Sequence, residues 1–126
     1  MSVCFIAGAV AKTLHVTAFT LVWTHSVQKT DWREDWRVTG DGLALVEARI
    51  KGSGAGVDPP AEARLIEGWW RWRPASMAPK DVILGHSGAV GDWRICTSGR
   101  CRTLPELFGR PLAGAPIVMS SCVSQQ

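Results

Sequence analysis

The chain has 126 residues, 46% of them apolar and 20% charged, with a net charge of +3. That length accommodates one domain with a single real core, and that composition excludes a disordered chain. No apolar run reaches the roughly 18 residues of a membrane-spanning helix, and so mild a basic excess argues against nucleic-acid binding.

The segment from Met1 to Phe19 is apolar, but it lacks a basic leader region and is interrupted by Lys12. It reads as a first strand and not as a signal peptide. The default location is then cytoplasmic, with the periplasmic face of the cell envelope as the alternative if a leader precedes the chain. Thr13 to Val27 is rich in Thr, Val, Phe and Trp and reads as one long strand. Gln28 to Asp31 forms a polar loop, and Trp32 to Thr39 is the return strand. Alternation puts Trp32, Glu34, Trp36 and Val38 on one face of it, with Arg33, Asp35 and Arg37 on the other.

Gly40-Asp41-Gly42 marks a turn before a third strand from Leu43 to Lys51. The glycine-rich segment 52–60 is a connection, and Ala61 to Ile66 fits either a helical turn or a short strand. Glu67-Gly68 is a two-residue turn leading into Trp69–Arg73. Asp81–Gly85, Trp93–Cys96 and Cys101–Leu104 are further strands. Pro105–Gly109 is a short helical turn, and Pro116 to Cys122 a last strand. The expected fold is therefore a single all-β domain over residues 1–126. It is a small antiparallel sandwich or barrel of about eight strands, with at most short helical turns.

Five of the seven tryptophans are followed directly by arginine, and the chain has no tyrosine. On a strand this places rings on a dry face and guanidinium groups on a wet one. In Trp69-Trp70-Arg71-Trp72-Arg73 the alternation leaves Trp69, Arg71 and Arg73 together on the outer face. That is a candidate contact surface for an anion or a protein partner, since Trp and Arg dominate interface hot spots. Gly54 and Gly56, beside Lys51, add backbone donors that could form a small anion nest.

A second candidate follows from pairing the first hairpin around a loop at 28–31. His25 then lies opposite Glu34 and Trp23 opposite Trp36, giving a polar site with Ser26 beside it. Such a pair is either structural or an acid–base or metal-binding site. Ser26 cannot be activated by His25, because neighbouring strand residues point to opposite faces. The spacing of the four cysteines does not define a zinc site, so no metal or cofactor is expected. Cys96 and Cys101 flank a presumed four-residue loop and could form a cross-hairpin disulfide. Cys4 and Cys122 read as two buried thiols.

The segments Phe19–Thr30, Trp32–Trp36, Gly40–Leu45, Val46–Arg49 and Lys51–Gly56 resemble those of bacterial domain-of-unknown-function family 1850. His25, Ser26, Glu34, Gly54 and Gly56 fall on its recurrent positions. The resemblance implies a small bacterial protein associated with TAXI-type tripartite (TRAP) transporters, which import organic acids. It assigns no activity. The expected function is a non-enzymatic β-domain, an accessory or binding protein whose partner is a transporter component or a small organic anion. The alternatives are an enzyme or metal site using His25 and Glu34, and a nucleic-acid-binding barrel.

Overall fold

A computed structural model describes residues 1–25, 30–40, 42–51, 60–73, 81–84, 93–109 and 116–122. They form eleven strands and one short helix. The strands are β1 (Ser2–Ala7), β2 (Val10–Leu14), β3 (Ala18–His25), β4 (Thr30–Val38), β5 (Leu43–Lys51), β6 (Arg64–Ile66), β7 (Trp69–Trp72), β8 (Asp81–Leu84), β9 (Arg94–Thr97), β10 (Arg100–Thr103) and β11 (Ile117–Cys122). The helix, α1, spans Leu104–Phe108. Two antiparallel sheets result, one ordered β2-β1-β11-β8 and the other β10-β9-β3-β4-β5-β7-β6. Their arrangement is sandwich-like, as an all-β antiparallel chain requires when each sheet has one apolar face.

The core lies between the sheets. Val3, Phe5, Ala7, Leu84, Ile117 and Met119 come from the smaller sheet, and Phe19, Leu21, Trp36, Val38, Leu43 and Ile95 from the larger. Phe5 meets Phe19 edge-on across the gap, with ring centroids 6.2 Å apart. Helix α1 closes one end by burying Leu104 and Leu107. Its start is a reciprocal cap in which Glu106 N–H donates to Thr103 Oγ1 at 3.2 Å and Thr103 N–H to Glu106 Oε1 at 2.9 Å. Gly109, at φ 75°, ends the helix in the left-handed conformation that glycine adopts without strain.

Several sequence expectations change. The N-terminal segment is not one strand but the hairpin β1–β2, turning at Gly8 (φ 61°). The long strand expected over 13–27 is two pieces, because β2 ends at Leu14 and β3 begins at Ala18. His15, at the break, is within 3.0 Å of the buried Ser2 hydroxyl through Nδ1. The 97–100 loop is shorter than expected: Ser98 (φ 51°) and Gly99 (φ 79°) alone make the turn, and Thr97 pairs with Arg100. Glu67 (φ 52°) and Gly68 (φ 87°) make the corresponding turn between β6 and β7. Positive φ at both central residues matches the right-handed twist of the flanking strands.

The largest correction concerns the first hairpin. Thr30 and Asp31 belong to β4, and His25 pairs with Thr30, Trp23 with Trp32, and Leu21 with Glu34. The expected pairing of His25 with Glu34 and of Trp23 with Trp36 is therefore displaced by four residues. An even displacement leaves every side chain on its expected face but changes its neighbours. The cysteines differ too, since Cys4 and Cys122 are not thiols but are joined, with 118 residues of sequence separation. Cys96 and Cys101, directly opposite each other, are also joined.

Candidate anion-binding face

Cross-strand partners share a face, so the register of the larger sheet assigns its two surfaces. Leu21, Trp23, Trp32, Glu34, Ala48, Ile50, Trp70 and Trp72 lie on the inner side. Arg33, Asp35, Glu47, Arg49, Lys51, Trp69 and Arg71 lie on the outer side. The Trp–Arg dipeptides at 32–33 and 70–71 thus split between faces, ring in and guanidinium out.

The registers then reveal a row that no single segment contains. Arg94 pairs with Val22, Val22 with Arg33, Arg33 with Arg49, Arg49 with Arg71, and Arg71 with Arg64. Five arginines therefore cross six neighbouring strands in one line, interrupted only by Val22. Strand spacing of about 4.8 Å makes the uninterrupted run from Arg33 to Arg64 about 14 Å long. Directly opposed like charges destabilise a sheet, and this run holds three such pairs in succession.

Two carboxylates in the adjoining row offset part of the repulsion. Arg49 Nη2 donates to both oxygens of Asp35, at 2.9 and 3.1 Å. Thr20 Oγ1 donates to Asp35 as well, at 2.8 Å. Glu47 lies 3.6 Å from both Arg49 Nε and Arg71 Nη1. On the other side of the row, the Trp69 ring lies under two cations, Arg33 at 5.4 Å and Lys51 at 5.6 Å from its centroid. The Nε atoms of Arg33, Arg49 and Arg71 are buried and have no hydrogen-bond acceptor among the described residues. The face is therefore cationic, since Arg33, Arg49, Lys51 and Arg71 outnumber Asp35 and Glu47 on it.

Two concavities flank the row. One, of about 530 Å³, is bounded by Arg33, Asp35, Arg37 and Arg49 on one wall and by Thr97, Ser98 and the Cys96–Cys101 disulfide on the other. The second, of about 460 Å³, is bounded by Arg64, Arg71, Arg73, Trp72, Glu47 and Glu62. Guanidinium groups stay charged and donate in a planar fork that matches a carboxylate. They bind and orient anions but do not relay protons.

Of the contact-surface residues read from sequence, Trp69 and Arg71 share the outer face, and Arg73 is exposed beside them in the second concavity. Gly54, Gly56 and Ser26 lie outside the described residues, as does the side chain of His25. Trp23, Trp36 and Glu34 share the inner face. Two same-face steps separate the Glu34–Leu21 pair from the His25–Thr30 pair, about 13 Å along the strand. Glu34 instead accepts a 3.3 Å hydrogen bond from Trp36 Nε1, and burial raises its pKa against that bond's lowering effect. Trp23 stacks on Trp32 with centroids 5.4 Å apart.

Sequence reading missed Arg33, Arg49, Arg64 and Arg94 as members of one site. Arg49 and Arg64 follow no tryptophan, and only the strand register aligns them. A signal existed in the outward parity of Arg33 together with the like parity of Glu47 and Arg49. Among the described residues, no group of three or more His, Cys, Asp or Glu is placed to hold a metal ion. Nor is any described helix long and apolar enough to cross a membrane.

No curated protein and no solved structure matches the chain. The family model described as domain of unknown function (DUF1850) matches residues 19–104, which run from the start of the Thr20–Asp35 contact through the arginine row to helix α1. The chain belongs to that family.

Proposed function

We propose that this domain is a non-enzymatic accessory binding protein for small organic anions, serving their uptake alongside a TAXI-type tripartite transporter. The observation that carries the reading is the outer-face row of Arg33, Arg49, Arg71 and Arg64. Three consecutive like-charge pairs cost stability, and a bound anion would offset that cost. The concavity beside Arg33, Arg37 and Arg49 is large enough to admit small carboxylates, and Thr97 and Ser98 also line it. The two disulfides support action in an oxidising compartment, where such bonds persist, and the periplasm is one.

The test is calorimetric titration of the oxidised protein with succinate and with citrate at low ionic strength. Binding that weakens with added salt and is lost in Arg33→Ala is expected. Absence of heat at millimolar carboxylate, or an unchanged Arg33→Ala variant, overturns the reading. A pull-down from the native host, comparing wild type with Arg71→Ala and Arg73→Ala, tests the transporter contact. Salt-sensitive quenching of tryptophan by an oligonucleotide, without carboxylate binding, would replace the small-anion reading by a nucleic-acid one.

A further inference from the structure

Among the described residues, strand β6 is an edge of the larger sheet, and its three residues Arg64, Leu65 and Ile66 are all exposed. Leu65 is 54% and Ile66 47% exposed. Edge strands are normally blunted by charge, proline or cover, because an unpaired edge recruits further strands. Here two large apolar side chains stand on that edge instead. The register shows what the edge offers. In a hairpin with a two-residue turn, the residues flanking the turn exchange both backbone hydrogen bonds. Ile66 and Trp69 flank it, so Ile66 and Arg64 commit their backbone groups to β7. Leu65, between them, turns its N–H and C=O away from the sheet.

Arg64 is also the free end of the arginine row. A strand added to β6 would set one side chain directly opposite Arg64, prolonging that row by one position. A carboxylate there converts a run of like-charge pairs into one that ends in an ion pair. The adjoining concavity adds Arg71 and Arg73 against two carboxylates, Glu62 and a Glu47 that Arg49 and Arg71 already hold, so cations remain in excess there. Charge complementarity therefore selects an acidic partner over a basic one.

We propose that the free edge of β6 binds an extended acidic segment of a partner protein by strand addition. Its carboxylate pairs with Arg64 on the outer face, its apolar side chain covers Leu65 on the other face, and its backbone bonds to Leu65. This inference does not rest on the small-anion reading, whose concavity is lined by Arg33, Arg37 and Arg49 and not by Arg64.

The probe is an end-blocked peptide alternating valine and aspartate, with a valine–lysine peptide as control. Binding is followed by fluorescence anisotropy and by amide exchange at Leu65. The aspartate peptide should bind, slow exchange at Leu65, and exceed the lysine peptide by about tenfold or more, since the pair opposite Arg64 changes from attraction to repulsion. Arg64→Glu, a surface change that leaves β7 pairing intact, should reverse the preference. Leu65→Pro, which removes the outward N–H, should abolish binding while near-ultraviolet tryptophan signals persist. Arg33→Ala should leave peptide binding intact, which separates this site from the one for small anions. Equal binding of both peptides, no binding at millimolar aspartate peptide, or protection away from Leu65 overturns the proposal. So does concentration-dependent dimerisation that protects Leu65 without peptide, which would make a second copy the occupant.

Discussion

Asp35 holds Arg49 through both carboxylate oxygens, and in doing so anchors the middle of a line of arginines. The contact is half-buried, with side-chain exposures of 19% and 35%. An isolated pair of this exposure contributes little. This one also neutralises the arginine shared by two of the like-charge pairs, so its removal should be felt beyond its own energy. Asp35→Ala is expected to destabilise the protein by about 1–2 kcal/mol in urea unfolding at low salt. Raising the salt concentration should shrink the difference, because screening weakens the exposed repulsion. A salt-independent loss would show that the carboxylate acts only by packing.

Glu34 gives a pH dependence with a definite sign. Burial raises its folded-state pKa above the ordinary carboxyl value of 4.5. Between the ordinary and raised values the native state holds more protons than the unfolded chain, so stability falls as pH rises through that window. Glu34→Gln keeps an oxygen acceptor for Trp36 Nε1 and removes the titration. The variant should melt at higher temperature than wild type at neutral pH, with the gap closing below about pH 4 as wild-type Glu34 protonates in both states. A gap that does not change with pH would place its cause elsewhere.

The corrected register is testable by coupling energies. Double-mutant cycles on unfolding free energy should find coupling of about 0.5–1.5 kcal/mol between Trp23 and Trp32, whose rings stack. The same cycle between His25 and Glu34 should return a value within error of zero, since the strands set them far apart. Strong coupling between His25 and Glu34 would restore the pairing around a 28–31 loop.

The two disulfides should differ in weight. On chain-entropy grounds, closing 118 residues through Cys4–Cys122 contributes roughly 5 kcal/mol, against about 2 for the six-residue ring of Cys96–Cys101. Paired Cys→Ala variants compared by denaturant midpoint should reproduce that order. Thiol labelling of the unfolded, unreduced protein should find no reactive cysteine among the four. Labelling of Cys4 and Cys122 would return them to thiols.

Much of the architecture was legible in the chain because alternation is a strong local signal. The bounds of Leu43–Lys51 follow from the sequence, and the turns at Glu67-Gly68 and Gly109 are marked by glycines, which tolerate positive φ. The break at His15–Thr17 is hidden because Val16 and Thr17 favour strands and no glycine or proline marks the link. The hairpin register is hidden because Thr30 and Asp31 are polar and read as loop, yet they belong to β4 and pair with β3. Most of the arginine row was invisible for a different reason. Its members come from five strands scattered between positions 33 and 94, and their alignment depends on five separate registers. A four-residue error in any one of them would dissolve the row on paper.

The bond between Cys4 and Cys122 has a mechanical consequence. It fastens β1 to β11, which already pair along their whole length, so the first and last strands form one clamp. A protease that cuts any connection between them leaves the two fragments covalently attached, and the nicked protein keeps both sheets in one molecule. Tension applied across β1 and β11 meets a covalent link once the pairings of Ser2 and Val3 are passed, before the rest of the ladder. The arginine face is thus carried on a frame that local opening elsewhere in the chain cannot unzip from its ends.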